Sequence, residues 1–289
     1  MMVLPSSLIS SLGQDAPVPI DSYKDVVGKQ QLNIDVLCAM MEQEVTHFCQ
    51  DYLNDGEDCI SDNDHEDGSS HKLTAEDRAQ IVDWCYGVVD VLRLARLNVA
   101  VAMSIADRFM SNPNGLHVSQ FTPHLFSPQE IMYNRTMFQL LAVSALYIAI
   151  KINEQVIFSP EQCAEATHGM YTVKDIEAME RAILECLSWK INGPTALEVG
   201  NIVLELATPQ VQDVSEPSIE LMGSIVEDLA FQTESAVRDY HLATQRPSTI
   251  AIKALINAIK YNGKMSNTVR QHYLNALLNV LEQFKTRNL

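Results

Sequence analysis

Four charged residues occupy positions where their chemistry depends on what surrounds them: Arg78, Asp107, Lys151 and Glu180. A guanidinium fork that meets a carboxylate inside a helical bundle fixes the crossing of two helices, while the same groups on helix surfaces would simply be solvated. Spacing alone leaves both readings open for Arg78 and Asp107. Lys151 follows the most apolar run of the chain, where the helix dipole favours a cation and where a partner could also be met. None of this is catalytic chemistry. The eight histidines are scattered without an HExxH pair, and the chain has no GxSxG elbow and no phosphate-binding glycine loop. The stretch Asp62–Gly68 has a superficial likeness to a calcium loop, but such a loop needs Gly at its sixth position and Glu at its twelfth. Asp67 and Leu73 stand there instead. The reading is therefore no enzyme, no catalytic residue, no metal site and no cofactor.

Apolar residues make up 47% of the 289 residues, and Gly and Pro number only 11 each. That balance favours helices around substantial cores, and the length fits two domains. A net charge of −17 matches a phosphate backbone poorly, so no nucleic-acid partner is expected. The six cysteines lie far apart without CxxC spacing, and Met1–Gly13 lacks a basic start. Together these suggest reduced thiols inside a cell. The run Met137–Ile150 is shorter than the roughly 20 residues of a membrane span, so no membrane association is expected.

The elements follow from periodicity and caps. Residues 1–33 show no helical period and are expected to be mobile. Residues 34–53 carry the spacing of an N-terminal helix. Residues 54–71 form an acidic linker, with seven acidic residues between 54 and 68 and no Lys or Arg. Thr74 with Asp77 resembles a capping box, opening a helix with the stripe Ile81, Trp84, Cys85, Val88, Leu92. Further helices are expected over 98–110, over 135–152 (apolar on nearly every side) and from Ser159-Pro160-Glu161, where Pro suits the first turn. Another starts at Thr172, and Asn192-Gly193-Pro194 closes the unit. Residues 112–133 read as a long loop containing Thr122-Pro123 and Ser127-Pro128, the minimal target of proline-directed kinases. From Thr195 the plan repeats around a second apolar helix at Pro247–Ile259.

In this order and spacing, Arg78–Trp84, Ile105–Phe109, Ala149–Lys151, Tyr171-Thr172 and Met179-Glu180 resemble the cyclin box, the helical module that binds and activates cyclin-dependent protein kinases. The resemblance implies an all-α fold of two stacked five-helix units, a box at 72–194 and a degenerate second one at 195–289, preceded by a separate N-terminal helix. It implies that Arg78 pairs with Asp107 and that Lys151 and Glu180 contact a kinase, giving a heterodimer that also meets substrates or inhibitors. It implies a regulatory subunit in cell-cycle progression, present in nucleus and cytoplasm. A cyclin-fold scaffold of the transcription-factor type, without kinase activation, is the alternative.

Two family features are altered. The hydrophobic patch that docks Arg-x-Leu motifs keeps Ile81, Trp84 and Gln139. Asp77, however, replaces a Met, Gln80 an apolar residue and Gly87 a Glu, so such docking is expected to be weak. Val36-Leu-Cys-Ala-Met40 resembles the family's Leu-x-Cys-x-Glu motif but lacks its first Leu and its Glu, and a helix interior explains it better.

Overall fold

The computed structural model describes residues 20–47, 49–53, 72–112, 126–155, 158–208 and 219–287. Among them the chain is all helix without a strand. The helices are α1 (Ile20–Thr46), α2 (Ala75–Leu92), α3 (Leu97–Met110), α4 (Pro128–Met132), α5 (Arg135–Asn153), α6 (Pro160–Ala166), α7 (Val173–Cys186), α8 (Ala196–Ala207), α9 (Ile219–Arg238), α10 (Tyr240–Ala243), α11 (Pro247–Tyr261) and α12 (Asn267–Arg287).

Side-chain caps set most of the starts. Thr74, Ser159, Thr172 and Thr195 each close a capping box with the residue three places on. Each box satisfies two backbone donors that the first turn would otherwise leave bare. Arg96, at the N-cap of α3, makes no side-chain cap bond. Glu154, just past α5, accepts from the backbone of Ala95 and from Asn98 Nδ2 instead. The end of α5 is thereby locked to the start of α3.

Helices α2, α3, α5, α6 and α7 make the first unit. Every residue of α5 from Leu140 to Ile150 is buried, because neighbours cover it on all sides. This helix is long and apolar enough to cross a membrane by length and composition. Its apolar surface is instead consumed by the core, which Met103, Ile105, Phe109, Ile176, Met179 and Ile183 complete from α3 and α7. The positions 176, 179 and 183 on α7 show the three- and four-residue spacing of one buried face. Helices α8 to α12 make the second unit, with its own core around Leu255, Ile259, Leu229, Tyr273 and Leu277.

Three departures from the expected layout have physical reasons. The N-terminal helix runs from Ile20 to Thr46 rather than over 34–53, so residues 20–33 are helical and not a mobile lead. No proline stands between Pro19 and Pro113, and a polar stretch without a breaker extends a helix whose later turns are anchored. Past Thr46 the chain leaves the helix because Tyr240 Oη accepts from the backbone N–H groups of Tyr52 and Leu53, giving those donors partners outside a helical ladder. The helix is separate from the first unit but not free: Leu37 is buried in the second core, and Glu44 accepts from the backbone and hydroxyl of Ser248 at the start of α11. Finally, the loop expected over 112–133 holds helix α4, begun by Ser127 accepting from the Glu130 N–H, with Pro128 in the first turn. The acidic segment 54–71 lies outside the described residues.

Candidate functional site

Arg78 and Asp107 meet in the interior. Arg78 Nη2 lies 2.7 Å from Asp107 Oδ2, with side chains only 2% and 4% exposed, and Arg78 Nε donates to Asp107 Oδ1 at 2.9 Å. The contact is the two-pronged fork that ties α2 to α3. The remaining capacity of the pair is also used. Arg78 Nη1 donates to the Val237 carbonyl at the end of α9, and Tyr52 Oη donates to Asp107 Oδ1. Tyr240 stacks edge-on against Tyr52 with centroids 5.3 Å apart, lies 5.9 Å from the guanidinium, and donates to Asp51. Burial works against the charge of Arg78, but the Asp107 carboxylate more than offsets it and holds the pKa above its ordinary value. Burial likewise pushes the Tyr52 hydroxyl far up, with Asp107 adding to it, so Tyr52 stays a donor. This network is structural: it joins both units and the strap 51–53 at one point.

The units are also joined at the surface. Arg96 bridges Asp90 and Glu234 while its guanidinium lies 4.4 Å over the Tyr86 ring, and Arg238 pairs with Asp83.

Lys151 and Glu180 lie at the opposite extreme. The last turn of α5 brings Lys151 Nζ within 2.7 Å of Glu180 Oε1 on α7, with side chains 46% and 16% exposed. Tyr147, one turn earlier, offers its ring to the same ammonium at 4.7 Å and is itself backed by Phe158. Partial burial opposes the Lys151 charge, but hydrogen bonding and attraction from Glu180 prevail and hold its pKa above the ordinary value. Glu180 follows Met179, which is fully buried, so the core fixes the helix face that presents the carboxylate. The same two elements leave large apolar groups in water: Ile152 beside Lys151, and Trp189, 70% exposed, in the turn after α7. Ser188 and Trp189 both hold left-handed backbone there, at φ 50° and 63°.

The remaining expected residues fall in place as follows. Ile81 and Trp84 are half-buried on α2 against the first core. Gln139 is half-buried on α5, where its Oε1 accepts from Tyr171 Oη, so its side chain is already committed inside the fold. Asp77, which stands where the docking patch would have Met, serves the Thr74 cap and pairs with Arg135. Ser127 is the cap of α4. Thr122 lies outside the described residues. Val36 is exposed, while Leu37 enters the second core. Tyr52, Tyr240, Glu154 and Trp189 were not legible as functional positions. Only the unusual αL backbone marks Trp189, and sequence does not display it.

No group of three or more metal-ligating side chains occurs among the described residues. The buried thiols are unreactive: burial pushes Cys85 and Cys163 each up to about 12.

Two helical units, each wrapped around an apolar central helix, with a buried Arg–Asp fork at their joint, define a cyclin-type double helical module. The comparisons bear this out. The family model for the cyclin N-terminal domain matches residues 47–192, and the chain belongs to the cyclin family. It is 30% identical over 132 residues to the G1/S-specific cyclin-E1 of Gallus gallus, a stretch that is 45% of this chain and 28% of that protein. Against cyclin-E1 of Rattus norvegicus it is 30% identical over 146 residues, 50% of this chain and 30% of the relative. A putative cyclin-A3-1 of Arabidopsis thaliana matches at 25% over 217 residues, 75% of this chain and 53% of that one. The matches thus span about half or less of these relatives' length. The crystal structure of a viral cyclin from herpesvirus saimiri shares the fold, with a TM-score of 0.50 at 15% identity, covering 74% of this chain and 86% of that one.

Proposed function

We propose that this chain is a regulatory subunit that binds and activates a cyclin-dependent serine/threonine kinase and thereby controls progress through the cell cycle. The observation that carries this reading is the Lys151–Glu180 pair: two residues 29 apart in sequence, fixed 2.7 Å from each other on the surface, at the positions the family uses to meet its kinase. Protein kinases need a Lys–Glu ion pair and an ordered activation loop. A rigid helical face that favours the active arrangement shifts the kinase population toward it by differential contact. Exposed Ile152 supplies apolar area beside Lys151, and Lys151 and Glu180 supply register. The chain itself performs no chemistry and acts in nucleus and cytoplasm.

Substrate selection differs from the family pattern. Gln139 is engaged by Tyr171, and Asp77 by Thr74 and Arg135, so the α2–α5 surface around Ile81 and Trp84 docks Arg-x-Leu segments weakly. Ser127 and Thr122 are candidate acceptors for a proline-directed kinase. Modifying Ser127 requires giving up the hydroxyl that starts α4.

The test is to co-purify the full chain with a cyclin-dependent kinase and to measure phosphorylation of a Ser-Pro peptide. Lys151→Ala/Glu180→Ala run in parallel should abolish both binding and activation. A folded wild-type chain that binds no such kinase would overturn the reading in favour of a scaffold role.

A further inference from the structure

Near the end of α1 lie two cations, Arg108 and Lys190, neither with a carboxylate partner among the described residues. Arg108, on α3, is buried, yet it makes no ion pair among the described residues. Its Nη2 donates to the Lys190 carbonyl, while its buried Nη1 has no hydrogen-bond partner among the described residues. The unmatched burial brings its pKa down to about 10. An uncompensated interior charge of this kind is costly. Lys190, in the turn after α7, is exposed and also makes no ion pair among the described residues.

His47 closes this group from the N-terminal side. Its ring packs so closely on the Gly193 backbone that a Cβ there would come within 2.9 Å of the imidazole. Nδ1 lies 2.9 Å from the Gln43 carbonyl, which can only accept, so Nδ1 carries the hydrogen. The neutral ring therefore presents the lone pair of Nε2, and that atom is buried without a partner. Thr46 Oγ1 is the other polar neighbour on α1 itself. Glu44, one turn back, is committed to Ser248. From the other elements the charges that bear on the ring are Arg108 of α3 and Lys190 of the turn, both positive. A second N–H in the same place would add a third positive charge beside Arg108 and Lys190.

We propose that His47 is a proton-sensitive latch: the neutral ring holds the end of α1 and the strap 49–53 on the first unit, and protonation releases them. Burial first, and then the two cations, lower the His47 pKa against the opposing hydrogen bond to Gln43. A lowered histidine pKa means that docking is at full strength above the ordinary histidine value near 6.5 and is lost as the pH falls through it. Release would loosen the Tyr240 contacts of Tyr52 and Leu53 and, through Tyr52, the Asp107 network.

Hydrogen exchange on the full chain at pH 7.5 and 5.5, corrected for intrinsic rates, reads the opening of residues 43–53. The opening equilibrium should rise on acidification by at most about tenfold, because pH 5.5 lies only about one unit below the ordinary histidine value. His47→Gln should remove that rise. Lys190→Glu leaves the ring and its packing in place while putting a carboxylate beside it; the His47 Cε1–H titration followed by NMR should then move upward and the acid-induced opening should shrink. A His47 that titrates at or above 6.5 in the wild type, or acid opening that is unchanged in both variants, would overturn the latch.

Discussion

Two ion pairs of similar length do different work in this molecule. Arg78–Asp107 and Lys151–Glu180 are both 2.7 Å contacts between helices. The first is sealed, and it is tied further to the Val237 carbonyl, the Tyr52 hydroxyl and the ring of Tyr240. The second is open to water on the Lys151 side, with Glu180 partly covered, and is flanked by exposed Ile152. A sealed pair cannot be given up without leaving a bare charge inside, so it defines geometry. An open pair contributes little to folding, so its side chains can be recruited by a partner at small cost. Separation of the two roles by burial, rather than by residue type, is what the pair of sites teaches.

The comparison breaks most visibly at the sealed site. Arg78→Ala should cost about 3–5 kcal/mol of unfolding free energy, because Asp107 is left buried and unpaired, and chemical denaturation measures it. Replacing both partners with Met and Leu should recover much of that loss; a double variant as unstable as Arg78→Ala would mean that the other members of the network matter more than the pair. Thr74→Ala should cost about 1 kcal/mol by opening the capping box of α2, readable as a shift of the thermal midpoint. At the open site, Lys151→Ala/Glu180→Ala should change stability by less than about 1 kcal/mol, and a larger loss would show the two sites to be less distinct than their burial implies. The smallest response should come from Cys85 and Cys163. With thiols pushed up to about 12 by burial, they hold almost no thiolate near pH 8. Iodoacetamide should label neither in the native chain within the time that labels both after denaturation, as mass spectrometry would show.

Much of this arrangement was legible in the sequence. The capping box at Thr74, the helix starts near Ser159 and Thr172, the all-round apolar run that became α5, and the pairing of Arg78 with Asp107 all follow from local patterns or from the spacing that resembles a cyclin box. What stayed hidden is non-local. Tyr240 reaches Tyr52 across 188 residues, and Glu154 caps a helix that lies earlier in the chain. Neither contact leaves a periodicity to read. The extent of α1 was missed because Gly28 and the polar run Lys29-Gln30-Gln31 interrupt the apolar spacing, and α4 because Ser127-Pro128 serves equally well as a turn or as a helix start. The isolation of Arg108 could not be seen either, since the absence of a carboxylate partner is a property of three-dimensional neighbours.

The measurement that bears most directly on the account is the paired kinase experiment: wild type against Lys151→Ala/Glu180→Ala, each checked by circular dichroism and thermal midpoint, in co-purification with a cyclin-dependent kinase and in phosphorylation of a Ser-Pro peptide. The account predicts that the wild type binds and activates, and that the double variant keeps its fold and loses both. A double variant that activates as well as the wild type would contradict the assignment of the site, and a wild type that binds no cyclin-dependent kinase would contradict the function.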